Sequence, residues 1–288
     1  MPDDSGGSLI ATDDLGVQPA NDVHPTRLTR LGPLRAASWR FAVLLGRWTA
    51  RDFNSRYRNS SLRAFWAVLQ PIFFVAVYVV IFGVIFQQTG GDLPFLSYLL
   101  GGVVVYRIIA AALSSGTCLV DNYGTLSHAS FPRAVIPMSQ VLGNGVDVAV
   151  TVIGLLVVAV VQGVELHSTV ALLPAVVLGV VVLAMAACII VSTATVFVRD
   201  LQFAMTFVVM GLFFASPITY QPDQLPSWLS WLNWANPISV YVETVRDVTL
   251  RGSWPDGWFW VHLTGSVVLL VAALAHLRSV EHRIVDLA

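Results

Sequence analysis

The chain has 288 residues, of which 56% are hydrophobic and only 11% charged, far below the roughly 25% charged residues of a soluble domain. Its net charge is −1 and its sixteen basic residues are all arginine. An integral membrane protein without lysine has no Walker A phosphate loop and no amine for Schiff-base chemistry, so ATP and its Mg must sit on a partner subunit if ATP drives this chain.

Residues 1–26 carry Asp3, Asp4, Asp13, Asp14 and Asp22 among Gly, Ser, Pro and Thr. That composition predicts a disordered acidic tail. No basic segment leads into a short apolar core, so the start does not read as a cleaved signal peptide.

Residues 27–62 are dominated by arginine. At about 100° per residue, Arg40, Arg47, Arg51 and Arg58 fall within about 40° of one another, while Trp39, Val43, Ala50, Phe53 and Tyr57 form a separate apolar face. The pattern predicts an amphipathic helix along the cytoplasmic interface, its guanidinium groups meeting lipid phosphates or an acidic surface. A topology signal with a lipid anchor would use the same residues.

From residue 63 to 288 the chain reads as one transmembrane domain. Six runs reach the roughly 20 apolar residues that a crossing helix needs: about 64–86, 93–119, 134–161, 170–198, 201–220 and 258–277. An even number puts both termini on one side. Nine arginines precede the first run, and Arg133, Arg199, Arg278 and Arg283 share their side, against Arg246 and Arg251 on the other. The bias places both termini in the cytoplasm.

Arg107 and Asp147 each lie roughly 20 Å along their own runs at about 1.5 Å per residue, near mid-membrane. A charge there costs at least about 2.5–3.5 kcal/mol on insertion scales, so each needs a partner or water. They either pair with one another, or Arg107 faces a wet channel while Asn144 or Thr151 satisfies Asp147. Cys118 and Cys188 lie in apolar runs without ligand spacing and read as buried small hydrophobes.

Between residues 221 and 257 proline breaks alternate with apolar stretches, which predicts two re-entrant helices covered by protein or lining a path. Trp228, Trp231 and Trp234 recur every third residue. They read as an interfacial aromatic belt, or as a stacking surface for sugars near an exit.

Several of these segments carry a resemblance in register. RDFNSRYRNSSLRAFWAVLQP (51–71), DNYGTLSHASFPRAVIP (121–137), FVRDLQ (197–202), SPITY (216–220), NPIS (236–239) and the terminal RIVDLA (283–288) are similar to the ABC-2 membrane subunits that export lipid-linked polysaccharides, the Wzm and teichoic-acid exporter type. The resemblance runs from about residue 39 to 288. It implies an all-α fold with a short cytoplasmic coupling helix, a homodimer, and two copies of a separate nucleotide-binding ATPase. It also implies a polyprenyl-diphosphate-linked glycan as cargo, with Arg47, Arg51, Arg56, Arg58 and Arg63 at the diphosphate entrance. Tyr123, Leu126, His128, Phe131 and Arg133 would couple to the ATPase, and Arg107, Asp147, Trp228, Trp231 and Trp234 would line the channel or exit. Ser127 and His128 stand where the family usually has lysines, and Arg63 where it usually has glycine. Arginine-only usage is the mark of a GC-rich genome, and on that ground a cell-wall galactan is favoured over O-antigen or teichoic acid.

Three other classes compete. A secondary transporter would carry several mid-membrane acidic groups or paired repeats, whereas Asp147 stands alone within a run. A membrane glycosyltransferase would gather carboxylates for metal or acid/base work, yet Asp121 and Asp200 are isolated. An ABC-2 permease for a small drug or lipid shares the fold, and the basic entrance and aromatic loop argue against it.

Overall fold

The computed structural model of the chain describes residues 33–57, 63–87, 90–126 and 132–286. The acidic tail, 1–26, lies outside the described residues. Apart from an isolated bridge between Gly90 and Leu93, regular structure among the described residues is helical. The chain divides at Ala42 into two units, the first contributing the opening of helix α1 (Pro33–Tyr57) and the second everything from Val43 onward.

Among the described residues, four helices are long and apolar enough to cross a membrane: Phe95–Ser114, Val135–Val161, Ser168–Phe197 and Gly257–Glu281. Two shorter apolar helices, Ile72–Ile85 and Leu201–Ala215, lie within the first and fifth expected runs. The fifth, α9 (Leu201–Ala215), ends where Ser216 turns to extended backbone ahead of Pro217. A proline restricts the residue before it to that conformation. Fifteen residues reach only about 22 Å, so SPITY forms a turn instead of the last helical turn of a span.

The centre of the bundle is α8 (Leu173–Phe197), opened by a proline in its first turn. It packs against α3 (Phe95–Ser114), α6 (Val135–Gly143), α11 (Pro237–Arg246) and α12 (Gly257–Asp286). A helix apolar on every side can be buried on every side. Its hydroxyls fold back on its own carbonyls: Thr193 Oγ1 donates to Ile189 O at 2.7 Å and Thr195 Oγ1 to Val191 O at 2.8 Å. Buried polar groups are thereby satisfied without water.

The third expected run is two helices, α6 and α7 (Gly145–Val161), separated by Asn144. Asn144 Nδ2 donates to Gln140 O at 2.9 Å. The first run is α2 (Arg63–Tyr78) continued by a π-helical turn over Val79–Ile85. Between α3 and α6 lie two one-turn helices, α4 (Cys118–Asp121) and α5 (Tyr123–Leu126).

Candidate functional site

Helix α1 is seated through Trp48 and Asp52, neither of which belongs to the apolar face its periodicity predicts. Trp48 packs on the hydrophobic core, Asp52 Oδ1 accepts from Gln140 Nε2 at 2.7 Å, and Ala50 is exposed. Gly143 makes the approach feasible, because a Cβ there would lie 2.6 Å from Asp52 Oδ2. Gly143→Ala is therefore expected to unseat α1 and cost about 1–3 kcal/mol by overpacking. The check is the thermal midpoint of the purified protein; an unchanged midpoint would place the weight of α1 elsewhere.

Arg51 lies over the Trp48 ring at 3.9 Å and donates to Asn122 Oδ1 at 2.9 Å. It ties α1 to the turn after α4, and Arg47 is exposed one turn before it. Arg56 and Arg63 are placed on the helix backbone with side chains outside the described residues, and Arg58 lies outside them altogether. Beneath this seat opens a cavity of about 400 Å³ whose wall includes Asp52, Asp121, Asn122, Gln140 and Asn144.

Among the residues expected to couple to an ATPase, Tyr123 packs against the core. The side chain of Leu126 lies outside the described residues, as do His128 and Phe131 entirely. Arg133 has a defined anchor. Its Nη1 donates to Glu281 O at 2.5 Å and lies 3.3 Å from Glu281 Oε1, joining the segment before α6 to the last turns of α12.

Deeper in the bundle, α3 and α7 bring Arg107 and Asp147 together. Nε and Nη2 of Arg107 donate to Asp147 Oδ2 at 3.1 and 2.5 Å, with 14% and 19% of the two side chains exposed. Thr151 Oγ1 donates to the backbone carbonyl of Asp147 at 2.8 Å and so holds the helix, not the carboxylate.

Alongside runs a ladder of aromatic rings. Phe74, Tyr78, Phe82 and Phe86 recur every fourth residue, with successive centroids 4.5, 5.8 and 5.7 Å apart. Residues four apart share one side of a helix. Phe213 of α9 meets Tyr78 at 4.6 Å and Tyr106 of α3 at 5.0 Å.

At the opposite end of the bundle from α1 lies a charged latch. Arg246 is fully buried. It donates to Glu243 Oε1 at 2.5 Å, to Tyr98 O at 3.1 Å and to Ile218 O at 3.0 Å, with its guanidinium 3.4 Å above the Tyr98 ring. Arg251 bridges Glu243 at 2.9 Å and Asp247 at 2.8 Å. Burial pushes the Asp247 carboxyl above its ordinary range, against the lowering effect of the Arg251 hydrogen bond.

Small residues make the latch fit. Gly101 and Gly102 form a notch on α3, where a Cβ would come within 3.0 Å of Arg246 Cγ and of Ile218 respectively. Asn236 caps α11, accepting from Ile238 N at 3.0 Å, and donates to Ala215 O at 3.2 Å and Ser216 Oγ at 3.1 Å. The motifs SPITY and NPIS are thus two sides of one junction. Trp228, Trp231 and Trp234 are all exposed, and Trp234 stacks on Trp258 at 5.3 Å.

Periodicity and charge counting pointed to Arg107, Asp147 and the arginines of α1. They passed over Trp48, Asp52, the aromatic ladder and Arg246, which had been counted only as an outer-side charge. The available signals were the four-residue aromatic spacing of α2 and the Gly-Gly pair of α3.

Comparison with known proteins agrees with this architecture. The chain is 26% identical over 242 residues to an O-antigen export system permease protein RfbA of Klebsiella pneumoniae, covering 83% of this chain and 92% of the relative. It is 28% identical over 227 residues to the protein of the same name from Myxococcus xanthus, covering 77% and 86%. The model of the ABC-2 type transporter family matches residues 44–250, from the seated part of α1 through the latch, and the chain belongs to that family.

Proposed function

We propose that this chain is the transmembrane subunit of an ATP-driven exporter carrying a polyprenyl-diphosphate-linked polysaccharide from the cytoplasm across a bacterial plasma membrane. The observation that carries the reading is the aromatic ladder, set in a chain whose relatives are named as O-antigen export permeases. Aromatic faces offer a sugar ring an apolar stacking surface without fixing it.

In this reading the two shorter apolar helices complete six spans, and both termini are cytoplasmic, the side the arginine count favours. Helix α1 lies at the cytoplasmic interface, where Arg47 and Arg51, with Arg56, Arg58 and Arg63, guide the diphosphate. The planar fork of arginine matches phosphate oxygens bidentately. Two ATPase subunits, holding ATP and Mg, push on the segment carrying Tyr123, Leu126, His128, Phe131 and Arg133, and the Arg133–Glu281 contact hands that movement to α12. A second copy of this chain completes the path. Helices α10 (Leu232–Ala235) and α11 dip back into the membrane, and Trp228, Trp231 and Trp234 flank the exit. The names of the relatives favour O-antigen as cargo, arginine usage favours galactan, and teichoic acid is the third member of the class.

Deleting the gene tests the reading. Surface polysaccharide should be lost while its lipid-linked form accumulates inside the cell, with both reversed by the intact chain. Unchanged surface polysaccharide, in a strain without a second permease, would refute the reading.

A further inference from the structure

The cavity under α1 has a mixed wall, in which Ala111 and Cys118 add apolar surface to a polar set. Hydroxyls and amides of Ser114, Thr117, Gln140 and Asn144 line it together with the carboxylates of Asp52 and Asp121, and among the described residues the lining includes no arginine or histidine. Cations stand immediately outside. Arg51 reaches the rim through Asn122, and Arg47 is exposed on the preceding turn. An anion is attracted to that rim and repelled by the carboxylates within. The interior suits a neutral group rich in hydroxyl donors, since ionised carboxylates only accept hydrogen bonds while amides and hydroxyls both donate and accept.

We propose that this cavity binds the sugar adjacent to the diphosphate, so that α1 recognises the head of the cargo in two parts, the diphosphate at Arg47 and Arg51 and the first sugar at Asp52, Asp121, Gln140 and Asn144. The proposal rests on the lipid-linked glycan reading above. Its volume, about 400 Å³, lies within the range of small-ligand sites. The carboxylates are oriented in advance: Gln140 Nε2 donates to Asp52 at 2.7 Å and Thr117 Oγ1 to Asp121 Oδ2 at 2.7 Å. Pre-set acceptors lower the ordering cost of binding. They also discriminate against a head group without hydroxyls, because their lost hydration would go unreplaced.

The test uses the full chain with its ATPase partner in lipid nanodiscs and two probes, a polyprenyl diphosphate carrying one hexose and the same lipid diphosphate without sugar. Wild type should bind the glycosylated probe about tenfold more tightly. Thr117→Val and Asp121→Asn, which lie outside the seat of α1, should abolish most of that advantage while leaving the affinity for the sugarless probe unchanged. Replacing Arg47 and Arg51 with Gln should weaken both probes alike. Equal affinity of wild type for the two probes, or cavity variants that weaken both equally, would overturn the proposal and leave the export reading standing. Binding of neither probe by wild type would overturn that reading and the proposal with it.

Discussion

Arg246→Ala is expected to be the most damaging single substitution among the described residues. The guanidinium is wholly buried and joins three segments: Tyr98 O on α3, Ile218 O in the turn after α9, and Glu243 on its own helix. Removing it leaves Glu243 with Arg251 alone, takes the donor from Tyr98 O and Ile218 O, and opens space over the Tyr98 ring. Each buried acceptor left without a donor costs about 1–3 kcal/mol, a large share of the stability of most folds. The variant should accumulate poorly and unfold well below wild type. Arg246→Lys should recover little, because a single ammonium cannot reach two carbonyls and a carboxylate as a planar fork does. The check is the yield and thermal midpoint of detergent-purified protein. A stable Arg246→Ala chain would show that the latch does not hold that end together.

Charge reversal at Arg107 and Asp147 should give the second largest effect. With 14% and 19% of their side chains exposed, either single reversal places two like charges side by side in the bundle, and each should abolish assembly or export. The double variant, Arg107→Asp with Asp147→Arg, restores opposite charges on the same two helices and should recover a substantial part of what either single variant loses. The coupling measured by this cycle isolates the pair from the separate loss of each group. No recovery in a chain that assembles normally would mean that Arg107 acts on something besides Asp147.

How much of this was legible in the sequence depends on whether a feature is local. Most of the long apolar helices, the charged pair and the helicity of α1 follow from hydropathy, from two isolated charges and from periodicity, each read within one segment. The seat of α1 was not legible, because Asp52 meets Gln140 across 88 positions and its approach depends on Gly143 lacking a side chain. The latch was hidden for a similar reason. Arg246 reads as an outer-side charge until the Gly101–Gly102 notch and the SPITY turn are folded against it, since only their convergence replaces its water. The aromatic ladder was legible in principle from its four-residue spacing, but in an apolar run the same spacing also describes ordinary packing. The overlong fifth run has a local cause: SPITY is apolar enough to extend a hydropathy window while its proline ends the helix.

Transport in proteoliposomes tests directly whether this chain forms the membrane path of an ATP-driven lipid-linked polysaccharide exporter, as proposed above. The chain together with its ATPase partner should move a polyprenyl-diphosphate-linked polysaccharide across the bilayer only when ATP is supplied, and the chain alone should hydrolyse no ATP. ATP turnover by the chain without its partner, or transport of small amphiphiles by the complex while the glycolipid stays where it was, would contradict that proposal.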